Sequence, residues 1–191
     1  GASAGPGSVT GSGCAVCVGE YLPWERVVRL GAYQRPMDQW ITAMKFGGDW
    51  SRAVWLGRQI AREIRSMTPA DRTVVCPVPM HWLRRCHRGY NQAELIGRAV
   101  AQTNGFRVAD VLRRVRYTRP QTTVAVSRRD SNLSGSLAIG RVDLTGWHVW
   151  LVDDVKTTGA TLFACARVLR QVGARQLSVA VAAVAGSPNH V

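Results

Sequence analysis

At 191 residues with 46% hydrophobic side chains, the chain can form one ordinary domain with a small appendage and bury a core. Lys and Arg number 25 against 12 Asp and Glu, a net charge of +13 and a pI of about 10.9, which favours polyanionic partners such as phosphates, pyrophosphate or nucleic acid. No apolar run approaches the roughly 18 residues of a membrane span and the Gly/Ser-rich start lacks a signal-peptide core, so no membrane insertion and a cytoplasmic location are expected.

Nearly all of the positive charge is Arg, whose planar fork binds phosphate in bidentate fashion, and Lys occurs only at Lys45 and Lys156. Five cysteines, an odd number without regular spacing, argue against a secreted disulfide framework. Residues 1–13 read as a flexible linker or tag remnant. Cys14 and Cys17 have the spacing of half a tetrahedral zinc site, and no second pair follows at a suitable distance. Residues 14–32 are therefore set apart as a small helical or cysteine-bearing segment, and the main domain is placed at residues 33–191.

Met37, Trp40, Ile41 and Met44 recur at helical spacing, with Pro36 near the start and Gly47-Gly48 at the end, and predict a short amphipathic helix. Residues 50–66 repeat that period through Trp50, Val54, Trp55, Ile60, Ala61 and Ile64, a second helix that ends before Pro69. Trp40, Trp55 and Trp150 fit buried faces. The apolar run from Thr73 to Pro79 is too short for a globular helix and ends in prolines, so it reads as a buried strand. His81 to Gly89 reads as a basic loop, and Asn91 to Gln102 as a helix closed by Asn104-Gly105. Residues 111–117 read as a strand and 118–135, rich in Thr, Ser, Arg and Gly, as a mobile excursion. A strand from Trp147 to Val152, a helix from Thr158 to Val172 stopped by Gly173, and a strand from Leu177 to Val184 complete the chain. This alternation predicts an α/β domain with a central parallel sheet flanked by helices. Ligands of such sheets bind beyond the carboxyl ends of the strands, where Pro79 and Asp153 both lie.

The stretch richest in chemistry is Val152-Asp153-Asp154-Val155-Lys156-Thr157-Thr158-Gly159-Ala160-Thr161. A strand runs into two carboxylates, then into a small-residue turn with three hydroxyls, then into a helix. Unpaired amides and the positive dipole end at a helix start form an anion cradle that Thr157, Thr158 and Thr161 complete. The carboxylates suit vicinal hydroxyls. A capped helix after a buried strand is the plainer reading, and the acidic pair is what it leaves unexplained.

That stretch resembles the ribose-5-phosphate loop of type I phosphoribosyltransferases. With Pro77-Val78-Pro79-Met80-His81, Arg88-Gly89-Tyr90-Asn91-Gln92-Ala93-Glu94, Thr118-x-x-Gln121, Arg129-x-x-Asn132 and Met44-Lys45-Phe46-Gly47-Gly48-Asp49, the chain is similar to the ComF/GntX branch of that superfamily over roughly residues 14–185. The resemblance implies a type I phosphoribosyltransferase fold that closes over phosphoribosyl pyrophosphate and Mg²⁺. It implies that Asp153 and Asp154 hold the ribose hydroxyls and form the catalytic pair, and that residues from Val152 through Thr161 form the ribose and 5-phosphate site. Pro79, Met80, His81, Arg84 and Arg85 would face pyrophosphate, and Gln121, Arg129 and Asn132 would belong to the flexible loop. Members carry an N-terminal zinc module, of which Cys14 and Cys17 match only the last Cys-x-x-Cys.

The resemblance further implies a pentosyltransferase that displaces pyrophosphate at the anomeric carbon toward an acceptor not readable here, in a protein linked to DNA uptake in natural competence and open to homodimer formation. A rival expectation is a non-catalytic competence accessory that binds single-stranded DNA or a partner helicase and keeps the phosphoribosyl site as a sensor or relic. It rests on the +13 charge and seven tryptophans, several near Arg. Lys45 beside a helix end is accounted for by the dipole, Arg88 by a neighbouring acid, and Asn91 by an N-cap role.

Overall fold

The computed structural model describes residues 22–114, 137–140 and 142–185, together with the backbone of residues 9, 10, 13 and 14. In chain order, a short antiparallel pair, β1 (Val9–Thr10) and β2 (Gly13–Cys14), precedes β3 (Arg26–Ala32), α1 (Met37–Phe46), α2 (Trp50–Ile64) and β4 (Thr73–Pro77). Then come α3 (Trp82–Arg88), α4 (Gln92–Asn104), β5 (Arg107–Val108), the antiparallel pair β6 (Leu112–Arg114) and β7 (Leu137–Ile139), β8 (His148–Lys156), α5 (Ala160–Gln171) and β9 (Gln176–Val184).

Five strands make one sheet in the order β3-β9-β8-β4-β5, and every neighbouring pair is parallel. Side chains alternate across each strand, and the two faces bury different partners. Val149 and Leu151 of β8 pack with Leu162, Cys165, Ala166 and Leu169 of α5. Trp150 and Val152 pack with Ile41 and Met44 of α1, Leu56 and Ile60 of α2, and Ile96 and Val100 of α4. Each such buried aliphatic side chain is worth about 1.5–3 kcal/mol relative to exposure. The central parallel sheet flanked by helices agrees with the expectation from the sequence.

Helices α2 and α4 cross closely. A Cβ at Gly57 would lie 2.5 Å from the Ile96 carbonyl oxygen and 2.6 Å from Ala99 Cβ, so only glycine allows this approach. Among the described residues, no helix is long and apolar enough to cross a membrane.

Four expectations need correction. Residues 26–32 are not part of a separate cysteine-bearing segment, because β3 pairs with β9 along the edge of the main sheet. Residues 82–88 form a helix rather than a loop: His81 caps its start by accepting the Leu83 N–H at 3.3 Å, and Gly89 ends it in the left-handed region at φ 79°. The strand after Trp147 does not stop at Val152, since ladder pairing with β9 carries it through the acidic pair to Lys156. Trp40 and Trp55 are 37% and 46% exposed, whereas Trp150 is buried. The buried stripe of α2 runs through Ala53, Leu56, Gly57, Ile60, Ala61 and Ile64, and Trp55 lies off it.

Cys17, Gln121, Arg129, Asn132 and the excursion at 118–135 lie outside the described residues, as does the strand expected at 111–117 beyond Arg114.

Candidate functional site

The parallel register sets Pro77 of β4 opposite Val152 of β8, so the loops leaving these adjacent strands start side by side at the carboxyl end of the sheet. The Val78 N–H donates to the Val152 carbonyl at 2.8 Å and closes that junction. A cleft of about 200 Å³ opens beyond it, lined from the segment after β4 by Val78, Pro79, Met80 and His81, from α3 by Arg84 and Arg88, and from β8 by Asp153 and Asp154. Lys45, Asn91, Gln92, Ala93, Arg114 and Thr161 complete the wall.

Asp153 and Asp154 are neighbours in a strand, so they leave it toward opposite faces. Asp154 follows Trp150 and Val152 onto the α1 side, where its Oδ2 lies 2.9 Å from Lys45 Nζ. Asp153 follows Val149 and Leu151 onto the α5 side and also lines a second hollow of about 50 Å³. Burial, and then the charge of Asp154, push the Asp153 carboxyl up to about 8. Its Oδ1 accepts the Asp154 N–H at 2.8 Å.

The smaller hollow is formed by Val155, Lys156, Thr157, Thr158, Gly159, Ala160, Thr161 and Leu162 with Asp153. Gly159 sits at the N-cap of α5 with φ 82°, a conformation that costs a residue with a Cβ, and it turns the chain so that the first amides of α5 face the hollow. Thr158 Oγ1 accepts the Ala160 N–H at 3.4 Å. Thr161 and Asp153 line both spaces, so hollow and cleft adjoin at these two residues. Of the residues expected around ribose and 5-phosphate, all line this hollow except Asp154, which lines the larger cleft, and Val152, whose side chain is buried in the sheet core.

Of the residues expected at pyrophosphate, Pro79, Met80, His81 and Arg84 line the larger cleft. Arg85 does not join them. It projects from the other side of α3, pairs with Glu94 at 3.2 Å and lines a neighbouring cleft of about 180 Å³.

Seven lining residues were not assigned to the site from the sequence, the apolar Val78 and Ala93 and five polar ones. Lys45 reaches Asp154 because the Tyr90 hydroxyl donates to the Met44 carbonyl and pins the end of α1 to the turn before α4. Arg88 lies over the Phe46 ring at 5.2 Å while lining the cleft. Asn91 is the N-cap that the sequence allowed: its Oδ1 accepts the Ala93 N–H at 3.2 Å and its Nδ2 donates to the Val78 carbonyl at 3.0 Å. Gln92 follows it into the wall. Arg114, at the end of β6, has its guanidinium held below the ordinary value by burial and then by Arg84. Lys45, Arg84, Arg88 and Arg114 thus surround Asp153 and Asp154, an excess of cations that suits a polyphosphate.

No family model matches the chain. It is 30% identical to "Competence protein F" of Haemophilus influenzae over 177 residues, 87% of this chain and 76% of that protein. The chain belongs to the competence protein F family. It is also 29% identical to "DNA utilization protein YhgH" of Escherichia coli K12 over 174 residues, 87% of this chain and 75% of that protein. Among solved structures it is similar to a purine phosphoribosyltransferase from Pyrococcus horikoshii, with a TM-score of 0.45, 16% identity, and coverage of 84% of this chain and 79% of that one. As a member of the competence protein F family, the chain sets an acidic pair and a Thr-Thr-Gly turn at the carboxyl ends of a parallel sheet flanked by helices.

Proposed function

We propose that this protein binds phosphoribosyl pyrophosphate with Mg²⁺ and transfers the phosphoribosyl group to an acceptor, as an enzyme of the phosphoribosyltransferase type acting in DNA uptake or utilization. One observation carries the reading: an acidic pair and a helix-start anion cradle at one strand end share a cleft with Lys45 of α1, Arg84 and Arg88 of α3 and Arg114 of β6. A sugar carrying phosphate at one end and pyrophosphate at the other has that distribution of hydroxyls and charge.

The donor set fits Mg²⁺, which takes one or two protein carboxylates and completes its sphere with substrate phosphates and water. Asp153 and Asp154 would hold it, and when bound it neutralises charge on the leaving pyrophosphate. The turn from Lys156 to Thr161 fixes the 5-phosphate and thereby orients the anomeric carbon. Arg84 and Arg88 stabilise the departing pyrophosphate, and the carboxylates favour a ribose ring that gains positive charge as the bond breaks.

Calorimetry of the folded protein with phosphoribosyl pyrophosphate and Mg²⁺ tests this, with the Asp153→Ala, Asp154→Ala double variant as control. Binding should be seen in the wild type and lost in the variant. A folded wild type that gives no heat sinks the reading.

A second reading, a non-catalytic accessory of DNA uptake that binds single-stranded DNA or a partner helicase, is favoured by the exposed aromatic surface on α1 and α2. Trp40 and Trp55 meet edge to face at 5.0 Å, and Arg52 lies 5.2 Å from the Trp40 ring. Such a surface can stack bases. Oligonucleotide affinity that fails to fall with added salt, or that survives Trp40→Ala, counts against the DNA form of it.

A further inference from the structure

Asn91 and Gln92 are adjacent amides at the start of α4, and the fold treats them in opposite ways. Both polar ends of Asn91 are spent on the protein, one on the Ala93 N–H and the other on the Val78 carbonyl. Gln92 is 1% exposed, yet neither its Oε1 nor its Nε2 has a hydrogen-bonding partner in the protein. An unsatisfied buried amide is costly, and buried side-chain amides are nearly always paired. Gln92 also lines the cleft that holds the acidic pair and the basic residues.

We infer that Gln92 is a ligand-contacting residue of this site, with its carboxamide reserved for the pyrophosphate half of the substrate. This inference rests on the reading above and adds a residue to it. The Nε2 hydrogens serve an anionic oxygen, and Oε1 accepts from a hydroxyl or water bound with it. Two further features point to an anion at the same place. Gln92 is the first residue of a 13-residue helix, so the positive end of α4 faces the cleft. Arg84 and Arg88 stand on the same wall. Unlike an Arg, the neutral carboxamide also discriminates by its acceptor end. It therefore favours a hydroxyl-bearing or hydrated pyrophosphate over a bare monovalent anion.

The test uses the full chain as wild type, Gln92→Met and Gln92→Glu, with inorganic pyrophosphate plus Mg²⁺ and phosphoribosyl pyrophosphate plus Mg²⁺ as separate probes in calorimetry. Urea midpoints of the ligand-free proteins are measured alongside. Gln92→Met keeps the length of the side chain and removes the polar ends, so it should bind both probes roughly tenfold or more weakly. Its ligand-free midpoint should equal or exceed that of the wild type. Gln92→Glu keeps the helix start favourable to the dipole while placing negative charge against the anion, so it should bind more weakly still. Wild-type binding with Gln92→Met within twofold of it overturns the role of Gln92 and leaves the broader reading standing. A Gln92→Met protein less stable than wild type also overturns it, because the amide would then serve the fold. A wild type that binds neither probe overturns both.

Discussion

Lys45 Nζ stands 2.9 Å from Asp154 Oδ2, so the last turn of α1 supplies a cation to a carboxylate at the far end of β8. The Asp154 side chain is 12% exposed and lies beside a second carboxylate, so the pair is largely shielded from water. Lys45→Met should lower stability by about 1–3 kcal/mol, because it leaves an acid uncompensated in a half-dry site. Urea unfolding measures this. The double variant with Asp154→Asn should recover most of the loss, and simple additivity of the two changes would show that the pair is not coupled.

Asp153 gives the stability a pH dependence of definite sign. An unfolded Asp titrates near about 4, while burial and the Asp154 charge raise the folded value. The folded chain holds this proton more tightly, so its contribution is complete below about 4 and is lost as pH rises through the raised value. Wild type should therefore lose stability relative to Asp153→Asn as pH increases across that window. Urea midpoints at a series of pH values would show it, and a constant difference would count against the assignment.

Gly159→Ala forces a Cβ onto a backbone at φ 82° and within 3.3 Å of Lys156 Cε. The expected loss is about 1 kcal/mol or more in thermal or urea unfolding. Affinity for a 5-phosphate ligand should fall further than stability does, since this residue aims the first amides of α5.

Gly57→Ala should be more severe although it is far from any reacting group. Its new methyl would meet the Ile96 carbonyl at 2.5 Å, which helix backbones cannot absorb without separating α2 from α4. A loss of about 2 kcal/mol or more is expected, with weakened ligand binding because α4 carries Asn91 and Gln92. An unchanged unfolding midpoint would contradict the close crossing.

The helices at 37–46 and 50–64 were legible because periodicity and Gly or Pro punctuation agree there. The Thr-Thr-Gly turn was legible because its residue types serve a local geometry. What stayed hidden depends on partners distant in sequence. β3 shows no strand signal strong enough to outweigh its neighbouring cysteines and is fixed by pairing with β9. The short helix after His81 is decided by a single side-chain cap and Gly89, against a run of like charges. Lys45 was explained locally by the helix dipole, while its ion pair lies across the fold. Gln92 could be flagged only once burial was known, since nothing in a sequence distinguishes a satisfied amide from an orphaned one.

The strand register that sends Asp153 and Asp154 to opposite faces divides the acidic pair between two helices. The end of α1 meets Asp154 through Lys45, while the turn into α5 borders Asp153 in the smaller hollow. Because Lys45 and Asp154 both act on Asp153, a substitution on α1 reaches the second carboxylate as well as its own partner, and neither half of the site can change its charge without the other half registering it.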